Sequence, residues 1–328
     1  MRPLVSIIVP TYNGATRGFL TNAIESVLNQ SFQDYELFVV DDGSTDDTKE
    51  QCEQYLTMPQ VHYIFQENGG PARARNAGIK ASQGEFICFL DDDDLWKPQK
   101  LARQIQFIQR ELHKVPNWGM IFSWIELIDE QGVTLGYRGH RHEGSIYRHL
   151  FMENTIDATS SVLIRRGVFD KVGLFDESLL NRMDWDMWLR IAKEYLVFPV
   201  REYLVQHREH LNRISAEHER VFFYERAVLE KALASAPEDI NAVEVYASWY
   251  LNKSEVLFAS EQYSEFRKIL LSAVRLSPRP LRLRHLCLLI MSFTGVKSIR
   301  FLRKLKRYTT TVMVNRKRDR PKLMWARW

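Results

Sequence analysis

Four consecutive aspartates, Asp91–Asp94, directly follow the apolar run Phe86–Leu90. Adjacent carboxylates repel one another unless a cation offsets their charge, and their hard oxygen atoms suit Mg2+ or Mn2+, particularly an ion shared with phosphate. The alternative interpretation is a helix start, in which Asp94 caps a helix over Leu95–Arg110. We interpret the run as a cation site in which one of the four acids serves as the cap.

A second acidic run, Asp41–Ser44, follows the apolar segment Tyr35–Val40. A carboxylate at the end of a strand can accept hydrogen bonds from a nucleobase or a ribose hydroxyl, although Asp-Gly also marks ordinary turns. Further along, Asn68–Gly78 adds the basic side chains Arg73 and Arg75, which could lie close to a diphosphate. Arg75 and the asparagine after it form the favoured functional pair, whereas a solvated helix face is an equal alternative for Arg73.

Strands that alternate with helices must bring these polar runs together. Short β-branched or aromatic runs are separated by segments with apolar residues at helical spacing. The predicted strands are Leu4–Val9, Tyr35–Val40, Val61–Phe65 and Phe86–Leu90, and the predicted helices are Phe19–Gln30, Thr45–Leu56 and Pro71–Ser82. The alternation indicates a parallel sheet, in which ligands bind at the carboxyl ends of the strands. Pro10-Thr11, Asp41-Asp42 and Asp91–Asp94 should therefore meet at one edge.

The remainder of the chain is first mixed and then helical. Strand-like runs lie at Met120–Leu127 and Ser161–Ile164, and a helix is predicted over Trp185–Glu194. From about residue 216 the apolar spacing is helical, over Val221–Ala234, Asn241–Leu257, Gln262–Leu276 and Pro280–Phe293.

The composition limits the class of protein. With 328 residues, 45% hydrophobic and 26% charged, the chain is typical of a globular protein of one or two domains. Its three cysteines are far apart, which fits neither a disulfide framework nor a zinc site and indicates a reducing compartment. The sequence contains no dinucleotide-binding GxGxxG and no P-loop GxxxxGK[ST]. The apolar runs are too short for a signal peptide or a membrane span, so a cytoplasmic location is expected.

Five segments in order carry a family resemblance: SIIVPTYNG, VVDDGSTDDT, ARARNAGI, FLDDDD and KVGLFDESL followed by DWDMWLR. Together they resemble the glycosyltransferase family 2 enzymes, which are inverting transferases with the GT-A fold and nucleotide-sugar donors. The resemblance covers about residues 4–215. It implies an α/β fold with a largely parallel sheet in a domain over residues 1–215, followed by a helical extension over 216–296 and a basic amphipathic tail over 297–328.

The resemblance also implies roles for individual residues. Asp184 matches the catalytic base, although Met183 stands where the family usually has Glu, and Asp186 could orient the loop, cap the helix or itself be the base. Asp91–Asp93 match the family's Asp-X-Asp motif, with Asp93 as the best match to a metal ligand and Asp91 as a second one. The residues expected to bind the nucleotide sugar are Pro10, Thr11, Asn13, Asp41, Arg75, Asn76, Asp91, Asp92, Arg208 and His210. Arg208 and His210 resemble a mobile segment that closes over the diphosphate, and a surface histidine is the alternative for His210.

The function implied is metal-dependent transfer of a sugar from a nucleotide sugar, with UDP as the expected nucleotide, to a hydroxyl of a glycan or lipid-linked glycan. Mn2+ or Mg2+ is the expected cofactor. Two alternatives stay open at this point. One is a catalytically silent protein that binds nucleotide sugars or acts as a scaffold, and the other is a sugar nucleotidyltransferase, which the PTYNG sequence after the first strand disfavours.

The last fifty residues differ in charge from the rest. Residues 279–328 carry 15 Lys and Arg against one acid, a net charge of +14, whereas the preceding residues carry a net charge of −10. Within this part, Lys297–Arg307 alternates apolar residues with cations, which is typical of a helix on an anionic membrane surface. A solvated tail and nucleic-acid binding are the alternatives. The favoured interpretation is peripheral contact with the cytoplasmic face of a membrane.

Overall fold

The structure is a computed structural model that describes residues 2–210, 218–279, 281 and 283–293. The chain divides into two compact units, Met1–Ile240 and Asn241–Trp328. The domain boundaries predicted at residues 215 and 296, and the tail over 297–328, lie outside the described residues. These divisions therefore stay predictions.

Strands and helices alternate through the first unit. In chain order its described elements are β1 (Val5–Thr11), α1 (Gly14–Arg17), α2 (Leu20–Leu28), β2 (Tyr35–Asp41), α3 (Thr48–Glu53), β3 (Val61–Phe65), α4 (Pro71–Ala81), β4 (Phe86–Phe89), β5 (Leu95–Trp96), α5 (Lys100–Phe107), β6 (Trp118–Ile128), β7 (Thr134–Arg138), α6 (Tyr147–Met152), β8 (Val162–Arg165), α7 (Gly167–Val172), α8 (Met183–Glu194), β9 (Leu196–Arg208) and α9 (His218–Leu233). One sheet contains all nine of these strands, in the order β3-β2-β1-β4-β8-β6-β9-β5, with β7 paired to β6.

The first four strands form the parallel half of the sheet. β1 lies between β2 and β4 and runs parallel to both, and β3 runs parallel to β2. Every residue of β1 and β2 is buried because helices cover both faces, as the continuous apolar runs predict. Helix α4 begins at Pro71, whose missing N–H costs nothing in the first turn. It packs closely on β1 at Gly78, where a Cβ would lie 2.5 Å from a methyl carbon of Ile8.

The second half of the sheet is mixed. β8 runs antiparallel to β4 and β6, β5 runs antiparallel to β9, and the long strands β6 and β9 run parallel to each other. The predicted strands at 120–127 and 161–164 correspond to β6 and β8, and the predicted helix at 185–194 corresponds to α8. The sheet is thus parallel in its first half and mixed as a whole, as in a GT-A fold.

A helix directly after Asp94 was a wrong expectation. Leu95–Trp96 instead form the short strand β5, which pairs with β9, and α5 begins only at Lys100. Pro98 lies between the strand and the helix. The backbone groups of β5 are therefore satisfied by β9, and Asp94 is free to serve the site behind the strand ends rather than a helix N-terminus.

The second unit contains three described helices, α10 (Ala242–Ala259), α11 (Tyr263–Leu276) and α12 (Leu283–Met291). Asn241 caps α10 by accepting from the N–H groups of Val243 and Glu244. The core of the unit is formed by Leu251, Leu257, Phe258, Phe266, Leu270 and Ala273. Across the described ranges of both units, none of the helices combines the length and hydropathy that crossing a bilayer requires.

Candidate active site

The carboxyl ends of β1, β2 and β4 open into a cavity of about 1070 Å3. Eight of the predicted site residues line it, namely Pro10, Thr11, Asn13, Arg75, Asp91, Asp92, Asp93 and Asp184. Five others do not, namely Asp41, Asn76, Asp186, Arg208 and His210. The strand ends therefore meet at one edge, and α8 supplies the opposite wall.

Three of the four consecutive aspartates face the cavity, and each has a different partner. Asp91 accepts a hydrogen bond from Arg75 Nη2 at 2.5 Å. Asp92 accepts from Thr11 Oγ1 at 2.5 Å and is ion-paired with Arg17. Asp93 Oδ2 lies 2.9 Å from His210 Nε2, so His210 reaches the acidic run although it does not line the cavity.

Asp94 lies behind the cavity wall and is fully buried. Its carboxylate accepts from Ser160 Oγ at 2.5 Å and from the backbone N–H of Arg208 at 3.0 Å, and it lies 2.9 Å from His207 Nδ1. These bonds tie the end of β4 to the end of β9. Asp94 is thus the member of the run that holds the wall in place.

The cavity acids are held in an electrostatic environment that disfavours their charge. Burial raises the pKa of Asp91, Arg75 lowers it, and the charges of Asp94 and Asp93 raise it further. Burial likewise raises the pKa of Asp92 to about 7, against the opposing effect of Arg17. A cation among these oxygens would relieve both the burial and the mutual repulsion.

The donor set fits a divalent ion that is shared with a ligand. Asp91 and Asp93 offer hard carboxylate oxygens toward the cavity, the chemistry that Mg2+ and Mn2+ favour. Within the described ranges, no group of three or more His, Cys, Asp and Glu side chains is arranged to hold a metal. Mg2+ commonly takes one or two protein carboxylates and completes its shell with phosphate and water. The two aspartates fit that mode of binding.

Arg75 has hydrogen-bonding capacity that the described protein does not use. The side chain is buried and lines the cavity, and one of its nitrogens donates to Asp91. Its Nε and Nη1 groups are buried without a hydrogen-bond partner in the described structure. Buried donors without a partner cost free energy, so an anionic ligand in the cavity would recover that cost.

The two acids at the end of β2 point to different sides. Asp41 is buried and accepts from the N–H of Ser44 at 2.8 Å and from the hydroxyl of Tyr63. Asp42 lines the cavity and accepts from the N–H groups of Gly69 and Gly70 at 3.0 and 2.7 Å. The structure therefore brings Asp42 to the cavity and keeps Asp41 behind it, where its oxygen atoms already accept protein donors.

Asp184 and Asp186 lie in the first turn of α8. Like the two acids at the end of β2, one of them lines the cavity and the other does not. Asp184 is half-buried, lines the cavity, and makes no hydrogen bond or ion pair with any described residue. Asp186 is buried and pairs with Arg190 at 2.7 Å and with Lys231 at 2.8 Å. Arg190 in turn donates to the carbonyl of Val172. The contacts of Asp186 are those of a residue that orients α8.

Arg208 does not point into the cavity. Its guanidinium donates to the carbonyls of Asp93, Asp129 and Glu130 at 2.9–3.0 Å and lies 4.4 Å from the ring centre of Phe19. These contacts fix the end of β9. Residues 211–217, which follow His210, lie outside the described residues.

Two predicted polar residues hold loops around the cavity. Asn13 has a left-handed backbone with φ 51°, and its Oδ1 accepts from the N–H of Thr45 at 2.9 Å, which joins the loops after β1 and β2. Asn76 donates to the carbonyl of Phe175 at 2.9 Å and to Glu177, which joins α4 to the segment before α8. Asn76 does not line the cavity.

Several cavity residues were not singled out in the sequence. Tyr12, Arg17, Arg182 and His207 all line it. Tyr12 directly follows the predicted Thr11, so the strand-end argument could have included it, as it included Asp42. Arg182 lies before α8 with φ 60°, an uncommon conformation for a residue other than glycine, and no sequence pattern marks it.

The chain is similar to known proteins in both sequence and structure. The sequence model of Glycosyl transferase family 2 matches residues 6–173, just over half of the chain. An uncharacterized glycosyltransferase of Rickettsia typhi is 36% identical over 214 residues, which cover 63% of this chain and 64% of the relative. TuaG of Bacillus subtilis, which bears the name of a teichuronic acid biosynthesis glycosyltransferase, is 32% identical over 218 residues, covering 66% of this chain and 82% of TuaG. The match spans less than two thirds of the length of the Rickettsia relative.

Solved structures share the fold. S. aureus TarS 1-349 in complex with UDP-GlcNAc is 20% identical with a TM-score of 0.58, over 88% of this chain and 79% of that chain. The mannosyltransferase PcManGT from Pyrobaculum calidifontis, in complex with GDP-Man and Mn2+, is 18% identical with a TM-score of 0.58, over 98% of this chain and 89% of that chain. At such identities the likeness establishes the fold, and it confirms the predicted GT-A class.

Proposed function

The chain belongs to glycosyl transferase family 2, and from this premise we propose that it is a metal-dependent inverting glycosyltransferase. One observation carries the proposal. A half-buried carboxylate without a partner among the described residues, Asp184, faces the same cavity as Asp91–Asp93 and the unused donors of Arg75. A base, a cation site and an anion-binding side chain in one cavity are the groups that such a transfer needs.

The acceptor hydroxyl is deprotonated by Asp184. In a single in-line displacement, the acceptor oxygen forms a bond to the anomeric carbon while the bond from that carbon to the diphosphate oxygen breaks. The acceptor proton passes to the Asp184 carboxylate, and the electron pair of the broken bond stays on the leaving nucleoside diphosphate. Because no described residue pairs with Asp184, its oxygens are available to accept that proton.

The protein groups near the donor act on the charge of the leaving group. Asp91 and Asp93 are the residues that would hold Mn2+ or Mg2+, and the ion would supply Lewis-acid stabilisation of the diphosphate. Arg75 lines the cavity, and its guanidinium, in which two donors have no hydrogen-bond partner in the described structure, brings positive charge to the side where negative charge develops. Arg208 and His210 support the site from behind through Asp93.

The donor is a nucleotide sugar, with UDP as the proposed nucleotide. Support comes from the cavity size and from the structural relatives, of which TarS 1-349 holds UDP-GlcNAc and PcManGT holds GDP-Man. Tyr12 presents an exposed ring at the cavity, on which a base could stack. The acceptor is a hydroxyl of a glycan or a lipid-linked glycan, consistent with a cytoplasmic enzyme that meets the membrane surface.

Substitution of the base tests the function directly. With UDP- and GDP-sugars and Mn2+, thermal shift first identifies the donor because a bound ligand raises stability according to its affinity. Asp184→Asn is then expected to lower sugar transfer, or donor hydrolysis where no acceptor is supplied, by about 10²–10⁴-fold while leaving the donor-induced shift unchanged.

Asp170→Asn, an exposed aspartate on α7, is the matched control and should behave like the wild type. Full activity of Asp184→Asn would remove Asp184 as the base. Absence of any stabilisation by the nucleotide sugars, with or without Mn2+, would contradict the proposed function as a whole.

A further inference from the structure

Helix α12 and the turn after it carry an apolar face that the described residues of the second unit leave exposed. Leu286, Ile290 and Phe293 are 45%, 65% and 71% exposed, and they follow one another at spacings of four and three residues. Leu286 and Ile290, four residues apart, lie on the same side of α12. Phe293 follows in the turn after the helix, where its N–H donates to the carbonyl of Ile290. We name these three exposed side chains the α12 face.

The opposite side of α12 is already used for packing within its unit. Leu288 and Met291 pack against the core that contains Phe266 and Leu270. His285 is buried and lies 2.8 Å from Glu255. Helix α12 therefore packs into the core of its unit on one side, while the α12 face on the other side stays exposed.

Positive charge accompanies this face. Arg267 of α11 lies 4.9 Å from the ring centre of Phe293, and it donates to the carbonyl of Ser292. Residues 292–328, which follow α12 in the sequence, carry 12 Lys and Arg and one Asp. An exposed apolar surface in a part of the chain with this charge matches the chemistry of an anionic lipid surface, in which acyl chains take up apolar groups and headgroups attract cations.

We propose that the α12 face is a peripheral membrane-docking surface, which inserts Leu286, Ile290 and Phe293 among anionic lipids. The proposal stands apart from sugar transfer, because none of these residues belongs to the cavity. It would bring the enzyme to acceptors anchored in a membrane. Since no described helix is long and apolar enough to span a bilayer, the contact proposed is interfacial.

Flotation with vesicles tests the proposal on the full chain. The wild type is expected to float with phosphatidylcholine–phosphatidylglycerol vesicles but not with phosphatidylcholine alone, and added salt should weaken binding. The triple variant Leu286→Gln, Ile290→Gln, Phe293→Gln should lose at least about tenfold in partitioning. Val133→Gln, Leu135→Gln removes comparably exposed apolar groups just before and within β7 and should float like the wild type.

A label that needs no substitution gives a second readout. Cys287 is exposed on α12 next to Leu286, whereas Cys52 and Cys88 are buried, so a polarity-sensitive thiol dye can report on the helix. Its emission should shift to shorter wavelength with anionic vesicles and stay unchanged with neutral ones.

Three outcomes would overturn the proposal. The first is a wild type that neither floats with anionic vesicles nor shifts the dye. The second is a folded triple variant that floats as well as the wild type. The third is a wild-type dimer that the triple variant converts to a monomer without any change in flotation, which would make the α12 face an interface between two copies of the chain. Donor hydrolysis by the triple variant should equal that of the wild type, so the two proposals fail separately.

Discussion

Aspartates that are close neighbours in sequence lie in two layers of the first unit. Asp42, Asp91–Asp93 and Asp184 face the cavity, whereas Asp41, Asp94 and Asp186 lie behind its wall. We call these the cavity layer and the supporting layer. Members of the supporting layer each accept two or more hydrogen bonds or ion pairs from the protein. In the cavity layer, Asp42 and Asp92 are bonded to the protein as well. Asp184 has no partner among the described residues, however, and Asp91 lies against an arginine with unused donors.

The difference shows that aspartates only one or two positions apart in the sequence can serve two purposes, one in the cavity and one in its wall. Residues two apart on a helix differ by about 200° in direction, so Asp184 and Asp186 lie on opposite sides of α8. At the end of β2, Asp41 and Asp42 face different sides, whereas after β4 the carboxylates of Asp91–Asp93 all face the cavity and that of Asp94 is buried behind it. An acidic run at such a place therefore supplies carboxylates both to the cavity and to its wall.

Removal of the most deeply buried member should have the largest effect. Asp94→Ala would leave the donors of Ser160, His207 and the Arg208 backbone without their acceptor inside the protein. We expect a loss of about 3–5 kcal/mol in the free energy of unfolding, measured by urea titration.

Asp93→Ala, one position earlier, is the control from the cavity layer. It removes the contact with His210 and should cost less stability than Asp94→Ala, while it abolishes Mn2+-dependent donor binding. Equal destabilisation by the two variants would contradict the division into two layers.

The sequence predicted the parallel half of the fold because its apolar runs alternate regularly with helices. It also predicted which strand ends carry polar groups, and eight of the thirteen predicted site residues line the cavity. It did not predict β7 and β9. β9 includes Pro199, Arg201 and Glu202, which weaken a strand pattern, and tertiary pairing with β6 overrides that local signal. Nor could it separate Asp41 from Asp42, because a local pattern contains no information about which side of the wall a turn residue faces.

The second comparison concerns the two acids of α8. Asp186→Ala removes the partner of Arg190 and Lys231, but Arg190 keeps the Val172 carbonyl and Lys231 keeps Asp176 at 2.6 Å. The expected cost is therefore smaller, about 2–3 kcal/mol in urea unfolding.

Transfer by the conservative variant Asp186→Asn then distinguishes positioning from base catalysis. A positioning role predicts that transfer by the folded protein falls by less than about tenfold, far from the loss expected for Asp184→Asn. If Asp186→Asn instead lost activity as completely as Asp184→Asn, Asp186 would have to be assigned to the reaction.

Lys100 is a buried cation behind the cavity wall, and it has no carboxylate partner among the described contacts. Its substitution should have the smallest effect on stability. Its side chain is fully buried, with Nζ 3.6 Å from the ring centre of Trp96 and 3.5 Å from the carbonyl of Val162. Burial lowers the pKa of Lys100 to about 8, an effect that the neighbouring Cys88 partly opposes. Met has a volume similar to that of Lys but no charge, so Lys100→Met removes an unfavourably buried charge. We expect it to raise the free energy of unfolding at pH 7 by about 1–2 kcal/mol.

The sign of the pH dependence makes this prediction specific. Because the folded-state pKa lies below the usual 10.5, the unfolded chain holds the extra proton between pH 8 and 10.5, and the wild type gains stability as pH rises through that window. The advantage of Lys100→Met should therefore be full below pH 8 and shrink toward pH 10.5. Cys88 is present in both proteins, so its own titration largely cancels when urea unfolding of the two is compared at each pH. Two results would contradict this prediction: a stability advantage of Lys100→Met that stays constant with pH, or a Met variant that is less stable than the wild type. Either result would mean that Trp96 and the Val162 carbonyl compensate the charge of Lys100 fully. The supporting layer would then tolerate a cation as well as it tolerates its bonded acids.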